Sequence, residues 1–429
     1  MNLIFTTTLL ILLTISTLLP LNANGAKCHV DDESGLLAFK SGIKSDPTSI
    51  LKTWIAGTDC CTWNGVGCLF DNKRVTSLSL SGDTENPKSF LVGTLSPLLS
   101  KLKYLDGLYL QNLLNISIPS SISALTRVTQ LKLGNNFLTG TIPESIKNLK
   151  NLTYLSLQGN QLSGNIPEIF TSLSNLIILE LSRNKFSGKI PLSISSLSSN
   201  LRYLEVGHNS LSGKIPDFLG KFKALDTLDL SKNQFSGTVP KSFANLTKIF
   251  NLDLSDNFLV DPFPSMNVKG IESLDLSRNM FHLKEIPKWV ASSPIIYSLK
   301  LAHCGIKIKL DDWKPSETFF YDYIDLSGNE ISGSAIGLLN KTEYLIEFRG
   351  SENLLKFDLG SLRFGNKLKV LDLSHNLVFG KVTKSVVGIE KLNVSYNHLC
   401  GEIPKNNFSA SVFVGNDCLC GSPLKPCKV

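Results

Sequence analysis

The stretch LKLGNNFLTGTIP at 131–143 recurs as LSLQGNQLSGNIP at 155–167, LELSRNKFSGKIP at 179–191, LEVGHNSLSGKIP at 204–216 and LDLSKNQFSGTVP at 228–240. Each follows L-x-L-x-x-N-x-L-x-G-x-I-P, and the period is about 24 residues. Outward from this centre the asparagine position recurs at Asn136, Asn160, Asn184, Asn209, Asn233 and Asn257. It continues through Asn279, Asn329, Asn353, Asn376 and Asn397. Cys304 fills it in LKLAHC, and two degenerate units place Asp83 and Leu113 there, which makes about fourteen repeats.

The pattern dictates a coil. In L-x-L the leucines alternate with polar residues, so one strand face is buried and the other is wet. Successive strands stack in parallel at about 4.8 Å and build a curved sheet. The chain then turns inward and leaves backbone groups without water. An asparagine amide both donates and accepts, so a column of them bridges neighbouring turns. Cys304 is expected to supply a weaker donor in that column and to stay a free, unreactive thiol. The fold class predicted is an α/β solenoid, a right-handed superhelix with a concave parallel β-sheet. Its boundaries are a signal peptide at 1–25, an N-terminal cap at 26–74, the solenoid at 75–399 and a C-terminal cap at 400–429.

A solenoid exposes apolar core at both ends and needs caps. CHVDDESGLLAFKSGI reads as a capping helix with Asp31 or Asp32 as N-cap and with Leu36, Leu37, Phe39 and Ile43 facing the first repeat. Trp54 and Trp63 are expected to cover the remaining edge. Eight of the nine cysteines cluster at the two ends, the usage of an oxidising compartment. Sequence-local pairing gives Cys28–Cys60, Cys61–Cys68, Cys400–Cys418 and Cys420–Cys427, though counting alone leaves other connectivities open. The first closes a loop of about 33 residues, worth roughly 3–4 kcal/mol in the chain-entropy model. Zinc is the weaker alternative, because the C-x-x-C ligand spacing is missing. One seam is irregular: in LYLQNLLNISIP the glycine is missing and Leu113 precedes Pro119 by one residue fewer than usual. It reads as a drifted repeat or as a junction where whole repeats were lost; either leaves the coil foldable.

The first residues carry an uncharged apolar run from Leu3 to about Leu19. Ala23 and Gly25 then fit cleavage before Ala26, the pattern of an export signal rather than of a membrane anchor. The formal net charge is +7. Its basic residues are dispersed, which with export argues against nucleic acid and leaves an anionic extracellular polymer as a partner class. The six N-x-S/T sites, at Asn115, Asn151, Asn245, Asn340, Asn393 and Asn407, are candidate glycan acceptors. Asn393 falls on a strand, where a glycan would block the concave face.

Function is expected on that face. The residue four before the asparagine position runs Lys132, Ser156, Glu180, Glu205, Asp229, Asp253, Asp275, Lys300, Asp325, Arg349, Asp372. Five consecutive carboxylates repel one another by up to roughly 1 kcal/mol per neighbouring pair in water, and such a row suits a basic partner. It is also the pattern of an ordinary solvated face, with Arg183, His208 and Lys232 near enough to offset it. Tyr109, Tyr154, Tyr203 and Tyr323 are the candidate aromatic anchors. The partner-binding set is Glu180, Tyr203, Glu205, Asp229, Asp253 and Asp275. No H-E-x-x-H, G-x-S-x-G or phosphate loop occurs, so no enzyme, metal or cofactor is expected.

CHVDDESGLLAFKSGIKSDP…TDCCTWNGVGC resembles the N-terminal cap of plant extracellular leucine-rich-repeat proteins, and the Gly-x-Ile-Pro extension marks their plant-specific 24-residue repeat. LNVSYNHLCGEIP…NDCLCGSPLKPC, with LLKFDLGSLRF, is similar to the C-terminal part of polygalacturonase-inhibiting proteins. The stretch from Phe243 to Tyr323 looks like a secreted sister group, some of whose members carry a DNA-damage-toleration name; an exported solenoid gives no support to work on DNA. The family carries extra repeats at the Asn115–Pro119 seam, which favours lost repeats. The resemblance implies a concave acidic surface set against a wall-degrading enzyme and carries that role to Glu180, Glu205, Asp229 and Asp253. Two other expectations are a soluble partner of a peptide or receptor-kinase ectodomain and a structural protein held in the cell wall by pectin.

Overall fold

A computed structural model describes residues 27–69, 71–82, 91–114, 117–268, 270–315, 318, 320–363, 365 and 367–427. The stretch expected to be a signal peptide, 1–25, the position Asp83 and the candidate acceptor Asn115 lie outside the described residues. Among these, the L-x-L segments form a sheet of 15 strands from Val66–Cys68 to Lys391–Asn393. The first pair, Val66–Cys68 with Val75–Ser81, is antiparallel, and every later neighbour is parallel. Register never slips along the coil, because the leucine of each strand stands beside the leucine of the next: Leu131, Leu155, Leu179, Leu204, Leu228 and Leu252 are direct partners. A slip of one residue would turn every leucine to water. Leu179, Leu181, Leu204, Leu228 and Leu230 are fully buried.

The asparagine column performs the bridging that the pattern predicts. Asn233 Nδ2 donates to the carbonyls of Val206 (3.0 Å), Leu230 (3.2 Å) and Ser231 (3.0 Å), and its Oδ1 accepts from Leu211 N–H at 2.9 Å. The first and last of these partners belong to the preceding turn, so each amide ties two coils together. The same four contacts recur at Asn160, Asn257 and Asn376. Cys304 keeps only the donating half: its thiol points at the Leu276 carbonyl (3.5 Å) and the Ala302 carbonyl (3.6 Å). The ladder also has a rung beyond Asn397. Asn416 donates to Val394 and Phe413 and accepts from Leu399, which carries the column past the last L-x-L strand. The inward turn puts the residue before each rung at positive φ (57° at Arg183, 56° at His208, 48° at Lys232), a strained region for side chains that the flanking rungs hold in place.

After the rung, the x-L-x-G segments of six repeats pair as a second parallel sheet, from Thr139–Gly140 to Phe258–Val260. Isoleucine and proline then turn the chain into short 3-10 segments such as Glu144–Asn148 and Lys241–Asn245. The second sheet stops after Val260; the next repeats keep isolated bridges, Val260 to Met280, Lys284 to Ile306 and Lys309 to Ser332, before pairing resumes in two short sheets, Ser332–Gly333 with Leu354–Leu355 and Phe379–Gly380 with His398–Glu402 and Cys418–Cys420.

Both ends are closed by covalent caps. Cys28 bonds Cys60 and Cys61 bonds Cys68 at one end; Cys400 bonds Cys418 and Cys420 bonds Cys427 at the other. The capping helix is Val30–Ser41, with Leu36 and Phe39 fully buried and Leu37 and Ile43 half-buried. Trp54 lies against Phe39 (5.9 Å) and Trp63 (5.6 Å). Neither Asp31 nor Asp32 is the N-cap. His29 takes that place, its Nδ1 accepting from Asp31 N–H at 3.2 Å. Asp32 is fully buried because it has a stronger partner: Arg74 grips it with two bonds (2.8 and 2.9 Å), and Val75 N–H adds a third (2.9 Å). This pair locks the cap to the first strand, and losing one member leaves a buried charge, a cost of about 3–5 kcal/mol. At the seam, Asn112 carries the positive φ (59°) that elsewhere precedes a rung, so Leu113 stands where the asparagine belongs. Asn112 Nδ2 reaches the Gly82 carbonyl at 3.1 Å instead.

Replacing Asn233 with alanine strands one N–H and several carbonyls. Its expected cost in denaturant unfolding is about 2–3 kcal/mol. Cys304→Ala removes only a weak donor and is expected to cost about 1 kcal/mol. Equal costs would contradict the amide ladder.

Candidate concave recognition face

The side chains between the leucines point away from the core and form columns across the large sheet. Register makes Glu180, Glu205, Asp229, Asp253 and Asp275 consecutive direct partners. The sequence-derived acidic residues therefore stand in one row. Tyr203 stands on the same strand as Glu205, two residues earlier, with Ile178 and Thr227 beside it.

The row is not uniform. Asp229 Oδ1 accepts from Ser231 N–H (2.9 Å) and Ser231 Oγ (2.6 Å), and Asp253 is held the same way by Ser255 (3.0 and 2.7 Å). Asp372 and Asn393 repeat the arrangement with Ser374 and Ser395, while Asp275 and Asp325 take the backbone bond from Ser277 and Ser327. The aspartate of L-D-L-S thus closes a turn at the end of its strand, a structural role in addition to any binding role. The Asp-x-Ser spacing was the sequence signal for it. Glu180 accepts from the Tyr154 hydroxyl at 2.6 Å. The Glu205 carboxylate makes no hydrogen bond or ion pair among the described residues.

Electrostatics follow from that geometry. Burial first, and then the flanking Glu180 and Asp229, push the Glu205 carboxyl up to about 7. Burial and Asp253 raise Asp275 to about 6, against the opposing bonds from Ser277 and the charge of Lys300. Asp229 is raised as well, chiefly by burial, with Ser231 opposing and Asp253 adding. Glu205 and Asp275 therefore ionise in the range of a histidine, because removing water and stacking like charges both favour the protonated form. Its ends are different. Lys132 sits over the faces of Tyr154 (3.9 Å) and Tyr109 (5.5 Å), so these two rings are half-buried packing partners and not the exposed anchors expected. Tyr203 is half-buried and Tyr323 exposed. Beyond Asp275 the charges alternate: Lys300 lies 3.8 Å from Asp275, and Arg349 pairs with Glu347.

At the rim, the residues before the rungs project Arg183, His208, Lys232, Asp256 and Arg278. Arg278 grips Asp256 with two bonds (2.5 and 2.9 Å), a pair not visible from the column itself. Lys232 and Arg183 lie close enough to depress His208 further, after burial. The face presents an open acidic strip between a cation–aromatic end and a charge-compensated end. Among the described residues no group of three or more His, Cys, Asp or Glu side chains is placed to hold a metal ion. Of the acceptor asparagines, Asn245, Asn340 and Asn407 are exposed and outside the large sheet, and Asn151 Nδ2 donates to the Thr126 carbonyl at 2.9 Å. Asn393 is half-buried on the inner face.

Comparison with known proteins agrees with the architecture. The leucine rich repeat N-terminal domain model matches residues 29–69. Leucine rich repeat models match 127–149, 151–173, 175–197 and 199–259. Polygalacturonase inhibitor 2 of Arabidopsis thaliana is 40% identical over 113 residues, 24% of this chain and 34% of the relative. DNA damage-repair/toleration protein DRT100 of Arabidopsis thaliana is 33% identical over 119 residues, 25% of this chain and 32% of the relative. These matches span about a third of the relatives' own length. The crystal structure of PEPR1-AtPEP1 superposes with a TM-score of 0.66 at 29% identity, covering 87% of this chain and 52% of the other. That of a TDR receptor gives 0.59 at 28% identity, covering 78% and 63%. The chain is thus a leucine-rich-repeat solenoid, similar in sequence to plant polygalacturonase inhibitors over about a quarter of its length.

Proposed function

We propose that the chain is a secreted inhibitor that captures a pectin-degrading polygalacturonase on its concave face. The observation that carries this is the unbroken row from Glu180 to Asp275, in which the carboxylate of Glu205, between Glu180 and Asp229, has no hydrogen-bond or ion-pair partner among the described residues. A carboxylate left half-buried without a counter-charge raises the energy of the free protein, and a partner's lysine or arginine relieves it. Tyr203, beside it, supplies the amphipathic contact that hot spots favour. The similarity to polygalacturonase inhibitors supports the choice of target. The four end disulfides and the absence, among the described residues, of a helix long and apolar enough to cross a membrane support export. Glycans are proposed first at Asn245, Asn340 and Asn407, whose attachment leaves the strip open.

A second reading is a soluble partner in peptide or receptor-kinase signalling. The superposition on the PEPR1-AtPEP1 structure over most of the chain supports it. Pectin association, on the +7 net charge, is a third.

Purified protein added to fungal and plant polygalacturonases is expected to reduce pectin hydrolysis, and Glu205→Lys to weaken that inhibition by about tenfold or more. No inhibition across such enzymes overturns the target, and full inhibition by Glu205→Lys overturns the site. Affinity for a basic partner also depends on pH. A basic partner binds the ionised row. Glu205, raised to about 7, and Asp275, raised to about 6, take up protons as pH falls through those values, so affinity falls with them. Calorimetric titration at several pH values checks this, with Glu205→Gln expected to flatten the upper part of the dependence.

A further inference from the structure

The second sheet ends after Val260, and the flank it would have covered is hollow. Three cavities follow one another along successive repeats there, about 240, 340 and 130 Å³ in volume. The first two share Glu285 and Lys288, and the second and third share Trp313 and Lys314. No lining residue belongs to a strand of the large sheet, so this trough is separate from the acidic strip.

Its chemistry is specific. Phe263 and Trp289 stack at 6.4 Å with planes 21° apart, and Trp313 is held edge-on by Tyr321 at 6.0 Å. The aromatic surfaces are therefore fixed in orientation before any ligand arrives. Trp289 Nε1 and Trp313 Nε1 are buried, so what these half-buried indoles offer the trough is apolar ring surface. The charges are nearly balanced. Lys288, Lys309, Lys314 and Lys341 face Glu285, Asp311 and Asp312. Lys288 lies 4.0 Å from Glu285, Lys314 donates to the Asp311 carbonyl, and Asp311 accepts from Ser334 N–H at 2.8 Å.

We infer that this flank is a carbohydrate site that takes a neutral chain of hexopyranose rings. An indole presents a broad apolar face, the complement of the C–H face of a sugar ring. Mixed ammonium and carboxylate groups around it donate to and accept from further hydroxyls. A polyanion would call for a one-signed field, which the paired lysines and carboxylates do not supply. The length of the trough, three repeats, suits several sugar units. The site is independent of the proposed inhibition: it leaves the concave face free, so a wall-bound molecule still captures a protein.

The protein has four tryptophans, and Trp54 and Trp63 are buried in the N-terminal cap. A change in tryptophan emission on adding sugar therefore reports Trp289 and Trp313. Titration of the purified protein with cellohexaose and mannohexaose is expected to change that emission for at least one of them and to be insensitive to salt. Trp289→Ala with Trp313→Ala is expected to weaken binding by about tenfold or more, the scale of losing anchoring aromatics. The Trp→Phe pair keeps an aromatic face of smaller area and is expected to retain intermediate affinity; it serves where the alanine pair unfolds. Glu205→Lys should bind sugar unchanged. The inference is overturned if neither neutral hexaose alters the emission of the wild-type protein, if only hexagalacturonate binds and salt abolishes it, or if the folded tryptophan variants bind as tightly as the wild type.

Discussion

The asparagine amide between consecutive turns is the contact on which the rest of the molecule depends. A leucine stack alone would tolerate sliding and rotation, because hydrophobic contact has no direction. The amide does have direction. It takes two or three carbonyls and one N–H at defined positions on two coils, as Asn233 does between Val206 and Leu211 of the preceding coil and Leu230 of its own. Each rung therefore transmits register to the next, and the columns of outward side chains line up only because it does. The acidic strip is a consequence of that alignment: Glu205 meets Glu180 and Asp229 as direct partners because the amides leave no other register.

The same logic explains why function is confined to surfaces. The interior repeats one solution with small changes, its leucines and amides spent on holding neighbouring turns together. Variation is free only where side chains face out, and there the strip concentrates like charge at a cost that the row of serines partly offsets. Asp229 and Asp253 are tied into turns by Ser231 and Ser255, and at the untied Glu205 burial and the neighbouring carboxylates together raise the carboxyl to about 7. The flank behaves differently: once the G-x-I-P pattern lapses after Val260, irregular loops bring tryptophans to the surface and leave hollows between them.

Much of this was legible in the sequence because the controlling contacts are local and repeated. The L-x-L alternation fixed the strand face, and the recurring asparagine, with Cys304 in its place once, marked the column. Legibility ended where a partner lies far along the chain. Asp32 has the sequence signature of a helix cap, yet its partner Arg74 lies 42 residues away and draws it into the core, leaving the cap to His29. Asn416 was hidden because its surroundings, between the C-terminal cysteines, lack the L-x-L that precedes other rungs. Tyr154 looked like an exposed anchor from its alternation alone; the bond to Glu180 and the overlying Lys132 come from two different repeats. The hollow flank had no motif at all, since a lapse in a pattern does not say what replaces it.

The central claim is that the concave acidic strip is the surface that meets a protein partner. Carboxyl footprinting of the chain, alone and in complex with a captured polygalacturonase, tests it most directly. The account predicts that Glu180 and Glu205 react with a carbodiimide–amine reagent in the free protein and are protected in the complex, while Glu144 and Glu390 react equally in both. Undiminished labelling of Glu180 and Glu205 in a complex that demonstrably forms, with protection appearing elsewhere, would contradict it.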